Sequence, residues 1–389
     1  MPTLNTGLRG VKVATTRISD VKGDEGKLIY RGYLVADLAE QAGFEEVVHL
    51  LLYEKLPGGD ELSRLKQVLA PEQAVPDAVF SALKLFPKTA LPMDVLQAGI
   101  AQLAAFDPDV HEPENRDATL RMGLRLIARI PTLVAAWDRI RNERDPLPPL
   151  PGLSLAANFL YMLSGKIPDA ELTRFFDTSL VLHAEHSLNA STFSARQVAS
   201  TRAHVYTALA AAVGSLSGAL HGGANTRVMR MLQEIGDPEK IDAYIEHQLS
   251  SGGKIMGMGH AVYKVDDPRA LILAPMSRKM GERAGDTRWY EMSRILEKKA
   301  KAAFKTRKDV DIFVNVDFYS ASLYHAMGIP VDLFTPVFAV SRVAGWVAHV
   351  LEEKYAEAAK TPALYRPGAE YIGDYCGPDE CVFDPLKNR

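Results

Sequence analysis

Apolar residues recur along most of the chain at intervals of three and four positions, the spacing of one face of an α-helix. Two such stripes occupy residues 44–52 and 95–103. Longer apolar stretches predict a helix over residues 118–141, bent or broken near Pro131, and another over residues 336–352. Strand signals are weak. Residues 11–16 and 27–30 predict short strands, and residues 311–316 predict either a strand or a buried apolar segment. The pattern therefore predicts an all-α fold of many short packed helices, with minor β structure at the N-terminus.

One uncharged stretch needs a separate interpretation. Residues 203–226 contain no Asp, Glu, Lys or Arg and are numerous enough to span a bilayer. Two histidines and many small residues lie within them, which favours a buried helix that packs closely on its neighbours. Residues 1–16 show no signal-peptide pattern. We therefore expect a cytoplasmic protein with no membrane partner.

Composition and charge are those of an ordinary globular protein. The 389 residues are 47% hydrophobic and 24% charged, and the net charge of −3 gives no bulk reason to expect nucleic acid as a partner. The two cysteines, Cys376 and Cys381, fit a reducing compartment. Free thiols are the favoured interpretation, with a local disulfide or a metal-binding pair as alternatives.

The distribution of charge suggests how the chain is divided. Residues 264–308 are markedly more charged than the apolar regions on either side. This shift predicts a more exposed subdomain inserted between two apolar parts. The last 25 residues lack helical periodicity and predict an extended arm.

Four places combine polar groups with glycine or an apolar background. The first contains His183 and His186, which share a helix face at a spacing of three. Metal ligands, ligand-facing groups and satisfied core histidines all remain open. The second contains His221, which lies between an apolar helix and a glycine pair. The positive end of the following helix would lower the pKa of its imidazole, and a neutral histidine can donate a hydrogen bond to a developing enolate oxygen. A water-bonded histidine at a helix break is the alternative.

The other two places are a glycine-rich loop and an isolated carboxylate. Residues 252–264 hold His260 among several glycines that let the backbone approach a ligand closely, but they match neither a P-loop nor a Rossmann motif. Asp317 lies among apolar and aromatic residues, where burial raises a carboxyl pKa and makes a better base. A helix cap is its alternative role. Arg342 interrupts an apolar helix, so it needs an anionic partner from the protein or a substrate.

Together these motifs resemble the citrate synthase family along nearly the whole chain. The ordered set is His221-Gly-Gly-Ala-Asn225, Gly259-His-Ala-Val-Tyr263 with Asp267-Pro-Arg269, and Asn315-Val-Asp-Phe-Tyr319. Each motif is weak alone, whereas their order and spacing are specific. The resemblance implies the family's two-domain fold. It places the large domain at residues 1–222 and 328–389 and the small domain at residues 223–327.

The resemblance also implies a reaction, which is condensation of acetyl-CoA with oxaloacetate followed by thioester hydrolysis to citrate and CoA. Asp317 would remove a methyl proton, His221 would stabilise the enolate, and His260 would polarise the oxaloacetate carbonyl. The residues implied to hold the oxaloacetate carboxylates are His186, Arg269 and Arg342. No metal or other cofactor is expected, since CoA is part of the substrate.

The remaining implied contacts concern CoA and a second subunit. The CoA contacts would come from a glycine-rich loop and nearby basic residues, namely Gly253, Lys254, Ile255, Met256, Gly257, Lys264, Arg307 and Lys308. A solvated basic face is the competing interpretation of the basic residues. Arg366 matches an arginine that the family supplies from the partner subunit of a homodimer. The short N-terminal region predicts a dimer rather than the hexameric, NADH-regulated branch of the family.

Three other functions compete with this one. A 2-methylcitrate synthase would use propionyl-CoA with the same catalytic set, and one methylene changes binding by only about 1–3 kcal/mol. A non-catalytic helical CoA-binding protein would not need His221, His260 and Asp317 together. A metal-dependent hydrolase would be built on His183, His186 and His204.

Overall fold

The computed structural model describes residues 5–8, 10–260, 262–373 and 386–388. The predictions for Cys376 and Cys381 lie outside the described residues. Within the described residues, sixteen α-helices and one small sheet form the fold. The prediction of an all-α fold with minor β structure near the N-terminus is confirmed.

The sheet is an antiparallel meander of three short strands. They are β1 (Ser19–Lys22), β2 (Lys27–Tyr30) and β3 (Tyr33–Leu34), and Ser19 pairs with Tyr30 in the β1–β2 hairpin. The prediction for residues 27–30 is confirmed. The strand predicted at residues 11–16 is wrong. That segment has no strand partner and instead lines a small cavity with residues 356–365.

The first eight helices lie between the sheet and the predicted His183 motif. Their bounds are α1 (Val35–Gln41), α2 (Phe44–Tyr53), α3 (Gly59–Glu72), α4 (Asp77–Leu83), α5 (Pro92–Leu103), α6 (Arg116–Arg141), α7 (Leu155–Ser164) and α8 (Ala170–His183). Of the bend or break predicted near Pro131, the break is wrong, because α6 runs through that residue, and the bend stays a prediction. Burial of nearly every side chain of α6 around Pro131 outweighs the single hydrogen bond that a proline removes.

Eight further helices complete the chain. They are α9 (Ala190–Ser200), α10 (Val205–Ser217), α11 (Ala224–Ile235), α12 (Ile241–Ser251), α13 (Pro268–Ala284), α14 (Arg288–Lys308), α15 (Val316–Ala326) and α16 (Phe334–Lys354). Short 3-10 turns occupy Thr6–Leu8, Ala104–Phe106, Pro238–Lys240, Val331–Leu333 and Leu386–Asn388. Residues 311–316 form no strand, although Val314 is buried and makes an isolated bridge to Met258.

Helix α16 is the centre of the core. It packs against α2, α5, α6, α8, α9, α10 and α11, and nearly all of its side chains are buried. The continuous helical stretch Val331–Lys354 is long and apolar enough to cross a membrane, but 94% of its apolar window is buried inside the protein. The uncharged stretch at residues 203–226 is not one helix. It contains α10, a turn and the start of α11.

Helices α11 to α15 pack chiefly on one another. The strongest contacts join α13 with α15 and α11 with α15, and fewer contacts lead to α1, α8 and α16. This grouping agrees with the charged subdomain expected from the sequence. The bounds 223–327 for a small domain stay a prediction.

Candidate active site

A large cleft lies between the α11–α15 group and the rest of the protein. Its volume is about 1650 Å³, and both sides contribute to its lining. Six side chains predicted from the sequence meet there, although they come from distant parts of the chain: His186, His221, His260, Arg269, Asp317 and Arg342.

His221 lies in the turn between α10 and α11, where Ser191 holds its ring. The backbone N–H of Ser191 donates to Nε2 of His221 at 3.1 Å, and the Ser191 hydroxyl lies 2.8 Å from the same nitrogen. Because Nε2 accepts a backbone hydrogen, the ring proton of a neutral His221 must be on Nδ1. Burial, together with the charge of Arg342, lowers the pKa of His221 to about 4. His221 is therefore a neutral donor at ordinary pH.

His260 is fixed in the opposite tautomer. Its Nδ1 accepts the backbone N–H groups of Val262 and Tyr263, each at 3.0 Å. The proton of the neutral ring is therefore on Nε2. Burial, followed by the charge of Arg269, lowers the pKa of His260 to about 4. The loop thus presents a second neutral N–H donor to the cleft.

His186 and Tyr263 complete an aromatic cluster around His260. The ring centroids of His186 and His260 are 5.4 Å apart, and those of His260 and Tyr263 are 4.6 Å apart. Nε2 of His186 lies 3.3 Å from the Tyr263 hydroxyl. Burial, and then the charges of Arg269 and Arg342, hold the pKa of His186 well below its ordinary value. The cluster therefore brings uncharged rings to a site with two buried arginines.

Asp317 stands in the first turn of α15. The side chain of Asn315 caps that helix by accepting the backbone N–H of Asp317 at 3.0 Å. The alternative in which Asp317 is the cap is therefore wrong. Burial raises the pKa of Asp317 to about 6, opposed by the charge of Arg269 and a hydrogen bond from the Asn225 backbone N–H. A carboxylate with this pKa is a stronger base than an exposed aspartate.

Arg269 is buried and already paired within the protein. Its Nε and Nη2 donate to the two carboxylate oxygens of Asp267 at 2.9 and 2.7 Å. Asp267 also caps α13 by accepting the Arg269 backbone N–H at 3.0 Å. This bidentate pair fixes the plane of the guanidinium group beside the cleft.

Arg342 is buried with part of its guanidinium group unpaired. Nε donates to the His183 carbonyl oxygen at 2.7 Å, and the group lies 4.5 Å over the ring of Phe338. Nη2 is buried and has no hydrogen-bond partner among the described residues. Burial lowers the pKa of Arg342 to about 10, so the group remains a cation at neutral pH. The charge of Glu185 favours the cation, but a buried N–H group without an acceptor is still a place where a ligand anion can bind.

The predicted CoA contacts are only partly on the cleft. Residues 253–257 and Lys264 line it, and Lys254 is exposed. Gly257 has a φ of 76°, and a Cβ there would lie 2.8 Å from the Phe318 ring. Lys308 lies outside the lining, with its Nζ 5.2 Å from the ring of Phe304, which does line the cleft.

The other predicted residues lie farther from the chemistry. Arg307 forms a surface ion pair with Glu246 at 2.5 Å, and Arg366 is exposed and does not line the cleft of its own chain. His183 bonds through Nδ1 to the Ser179 carbonyl oxygen, whereas His204 caps α10. Among the described residues, no group of three or more His, Cys, Asp or Glu is arranged to hold a metal ion.

The sequence did not identify Ser191 and Tyr263 as parts of the site. Ser191 contacts His221 through its backbone N–H as well as its hydroxyl, and their separation of 30 positions in the sequence gave no sign that the two would meet. Tyr263 stood within the His260 motif, and an aromatic residue three positions from a candidate histidine could have suggested ring contact.

A carboxylate of raised pKa, two neutral imidazole donors and two buried arginines meet in an all-α fold, and the relatives of this chain identify it as an enzyme of the acyltransferase class. The family model described as "Citrate synthase, C-terminal domain" matches residues 7–368. Citrate synthase from Haloferax volcanii is 43% identical over 99% of both chains. The chain belongs to the citrate synthase family, which confirms the resemblance found in the sequence.

Two further relatives bear on the function. The Citrate/2-methylcitrate synthase of Bacillus subtilis is 38% identical over 94% of this chain and 96% of its own. The solved ternary complex of Thermoplasma acidophilum citrate synthase with carboxymethyl coenzyme A and oxaloacetate is 30% identical over the whole of both chains. Its TM-score is 0.90.

Proposed function

We propose that this protein condenses acetyl-CoA with oxaloacetate and hydrolyses the resulting thioester to citrate and CoA. The observation that carries the proposal is the pair of fixed tautomers. His221 offers Nδ1–H and His260 offers Nε2–H, and both rings are neutral beside a carboxylate with a raised pKa. Two carbonyl groups must be polarised in this reaction, and two N–H donors are available for them.

The oxaloacetate dianion is assigned to His186, Arg269 and Arg342. The unpaired Nη2 of Arg342 supports this assignment, since a substrate carboxylate would supply the missing acceptor. Arg269 is held in place by Asp267, so it can bind a second carboxylate without first losing side-chain freedom.

The acetyl-CoA half of the reaction begins at Asp317. Its carboxylate takes a proton from the methyl group, and the electron pair moves to the thioester oxygen, where Nδ1–H of His221 stabilises the enolate. The enolate carbon then attacks the oxaloacetate carbonyl carbon, whose oxygen accepts Nε2–H of His260. Water hydrolyses the citryl thioester and releases CoA. Each step is assigned to side chains of the protein, with no metal or prosthetic group.

CoA itself is assigned to residues 253–257, with Lys254 and Lys308 near its phosphates. The open cleft gives water access, so closure of residues 223–327 over the substrates is part of the proposal. We further propose a cytoplasmic homodimer in which Arg366 reaches the partner's site. Exposure of Arg366 outside its own cleft supports that role.

The test is a two-substrate steady-state assay in which a thiol reagent measures free CoA. Turnover that depends on both acetyl-CoA and oxaloacetate is expected, and its absence would overturn the proposed function. The same assay with propionyl-CoA addresses the second candidate, which the Bacillus subtilis relative favours by its name. A higher kcat/KM for propionyl-CoA would make 2-methylcitrate the product.

A further inference from the structure

The root of the β1–β2 hairpin holds the segment that carries His186. The Ser19 hydroxyl donates to Oε1 of Glu185 at 2.9 Å and accepts the backbone N–H of Ser187 at 3.0 Å. A single hydroxyl therefore bridges the residues on both sides of His186. Any displacement of β1 would be transmitted to that histidine.

Tyr30, the partner of Ser19 in the hairpin, adds two contacts to the same segment. Its hydroxyl donates to the Glu185 carbonyl oxygen at 2.9 Å and accepts the Glu185 backbone N–H at 3.2 Å. Tyr30 is fully buried. The root of the hairpin is thus fixed to the large group of helices.

The tip of the hairpin, residues 23–26, touches the loop that follows His260. The backbone N–H of Lys264 donates to the Gly23 carbonyl oxygen at 3.1 Å. A Cβ at Gly23 would lie 2.2 Å from the Val262 carbonyl oxygen, and a Cβ at Gly26 would lie 2.8 Å from the Val265 side chain. Backbone packs on backbone here, and the contact leaves no room for a side chain at Gly23.

The loop residues at the tip are also those that hold His260. Val262 and Tyr263 donate the two N–H groups that fix Nδ1 of His260 as an acceptor. Lys264 contributes a further link, because its Nζ lies 2.8 Å from Oδ1 of Asp24 in an exposed ion pair. Movement of the tip would therefore rotate or release the His260 ring.

We infer that the β1–β2 hairpin positions His260 against His186, and that its tip is the contact on which the His260 loop rests in the competent site. Gly23 is then a positioning residue, and Lys264 serves the loop contact with Asp24 rather than a CoA phosphate. This inference rests on the proposed function, in which His260 polarises oxaloacetate. A misplacement of about 1 Å can cost on the order of a hundredfold in rate.

The first test is Gly23→Ala, with Gly59→Ala as the matched control because a Cβ at Gly59 meets nothing within 4 Å. Gly23→Ala is expected to lower kcat by about tenfold or more, while KM for acetyl-CoA stays within about twofold. The ¹⁵N resonances of His260 should also show loss of the single tautomer. Gly59→Ala should leave all three quantities unchanged.

The outcomes separate the inference from the proposed function. If the unaltered enzyme releases no CoA from acetyl-CoA and oxaloacetate, the proposed function fails. If the unaltered enzyme turns over and Gly23→Ala matches it in kcat and in the His260 resonances, the positioning role is overturned. Circular dichroism and thermal melting check that each variant is folded.

A second pair of variants keeps the test decisive if Gly23→Ala does not fold. Asp24→Asn and Lys264→Gln should lower kcat/KM for oxaloacetate to a similar, small extent, and the double variant should be no worse than either. KM for acetyl-CoA should not change. A raised KM for acetyl-CoA in Lys264→Gln alone would return Lys264 to CoA binding and overturn its assignment to the loop contact.

Discussion

Ser191 determines which nitrogen of His221 carries the proton. Its backbone N–H lies 3.1 Å from Nε2 of His221 and comes from the first turn of α9, so it cannot be removed by changing the side chain. The hydroxyl of Ser191 contacts the same nitrogen at 2.8 Å. The electrophilic role proposed for His221 therefore depends on backbone geometry.

This arrangement predicts a graded response at position 191. Ser191→Ala removes one of two contacts and leaves the backbone donor, so kcat should fall by about tenfold or less, since a neutral hydrogen bond contributes about 1 kcal/mol. His221→Ala removes the donor itself and should lower kcat by about 10²- to 10³-fold. The thiol assay measures both. Equal losses in the two variants would contradict this account.

Asp317 predicts the acidic limb of the pH profile. Its pKa is raised to about 6 by burial, and the base must be ionised to accept a proton. As pH falls through about 6, kcat/KM for acetyl-CoA, which reports groups of the free enzyme, should therefore fall, while His221 and His260 remain neutral until about pH 4. Measurement of kcat/KM for acetyl-CoA from about pH 5 to about pH 8, a range that brackets the Asp317 pKa, checks this. A rate independent of pH across 6 would contradict it.

Removal of the Asp317 carboxylate should lower the rate of the reaction without weakening the binding of oxaloacetate. Asp317→Asn should lower kcat by about 10²- to 10⁴-fold, because general base catalysis is lost. The oxaloacetate dissociation constant, measured by calorimetry, should stay within about threefold because Asp317 is assigned to the other substrate. Asp311→Asn is the control, since Asp311 lines the cleft but pairs with Lys305.

Substitution of Arg342 is expected to weaken the binding of oxaloacetate and to leave the binding of acetyl-CoA unchanged. Arg342→Lys keeps a positive charge. A single ammonium group cannot both donate to the His183 carbonyl oxygen, as Nε does, and offer the second donor that Nη2 provides for the substrate. KM for oxaloacetate should rise by about 10- to 100-fold, since a hydrogen bond to a charged group contributes about 1.5–3 kcal/mol. KM for acetyl-CoA should change little. An unchanged KM for oxaloacetate would show that Nη2 does not meet the substrate.

A buried pair of acids predicts how stability depends on pH. Burial and the neighbouring Glu45 raise the pKa of Asp177 to about 7, although its carboxylate accepts the Phe44 N–H at 3.1 Å. The folded state therefore favours the protonated acid. Stability from this group is present below about pH 4, the ordinary aspartate value, and is lost as pH rises through about 7.

Asp177→Asn should consequently raise the free energy of unfolding at pH 8, by roughly 1–3 kcal/mol, and by less at pH 5. Urea denaturation at the two pH values measures the difference. Asp145→Asn at an exposed position is the control and should have little effect at either pH. A variant that is less stable than the parent at pH 8 would contradict the raised pKa.

The residues of the site were easier to predict from the sequence than the hydrogen bonds that orient them. Side-chain chemistry alone left each of His221, His260 and Asp317 with an alternative role, and the resemblance to the citrate synthase family joined them in one hypothesis. The structure places all three on one cleft. Their tautomers could not be predicted, because backbone N–H groups from Ser191 and Val262 set them and any residue provides such a group.

The errors have similar physical causes. The periodicity at residues 11–16 favoured a strand, but a strand needs a partner, and pairing is not written in one segment alone. The assignment of Lys308 to CoA stays a prediction, because its position at the end of α14 lies outside the cleft lining but beside Phe304, which lines the cleft. The helices named from periodicity were found because a buried face repeats along them, whereas the uncharged stretch at residues 203–226 proved to be two helices and a turn.

Helix α16 has a consequence for synthesis of the protein. It carries Arg342 and fills the space between α2, α5, α6, α8, α9 and α10, yet it follows all of them in the chain. Until residues 334–354 are made, the earlier helices lack the surface that α16 later covers, although α9 and α10 already pack on each other, as do α5 and α10. We therefore expect the nascent chain to expose part of its apolar core surface until α16 emerges, and an exposed apolar surface makes a folding intermediate prone to aggregation.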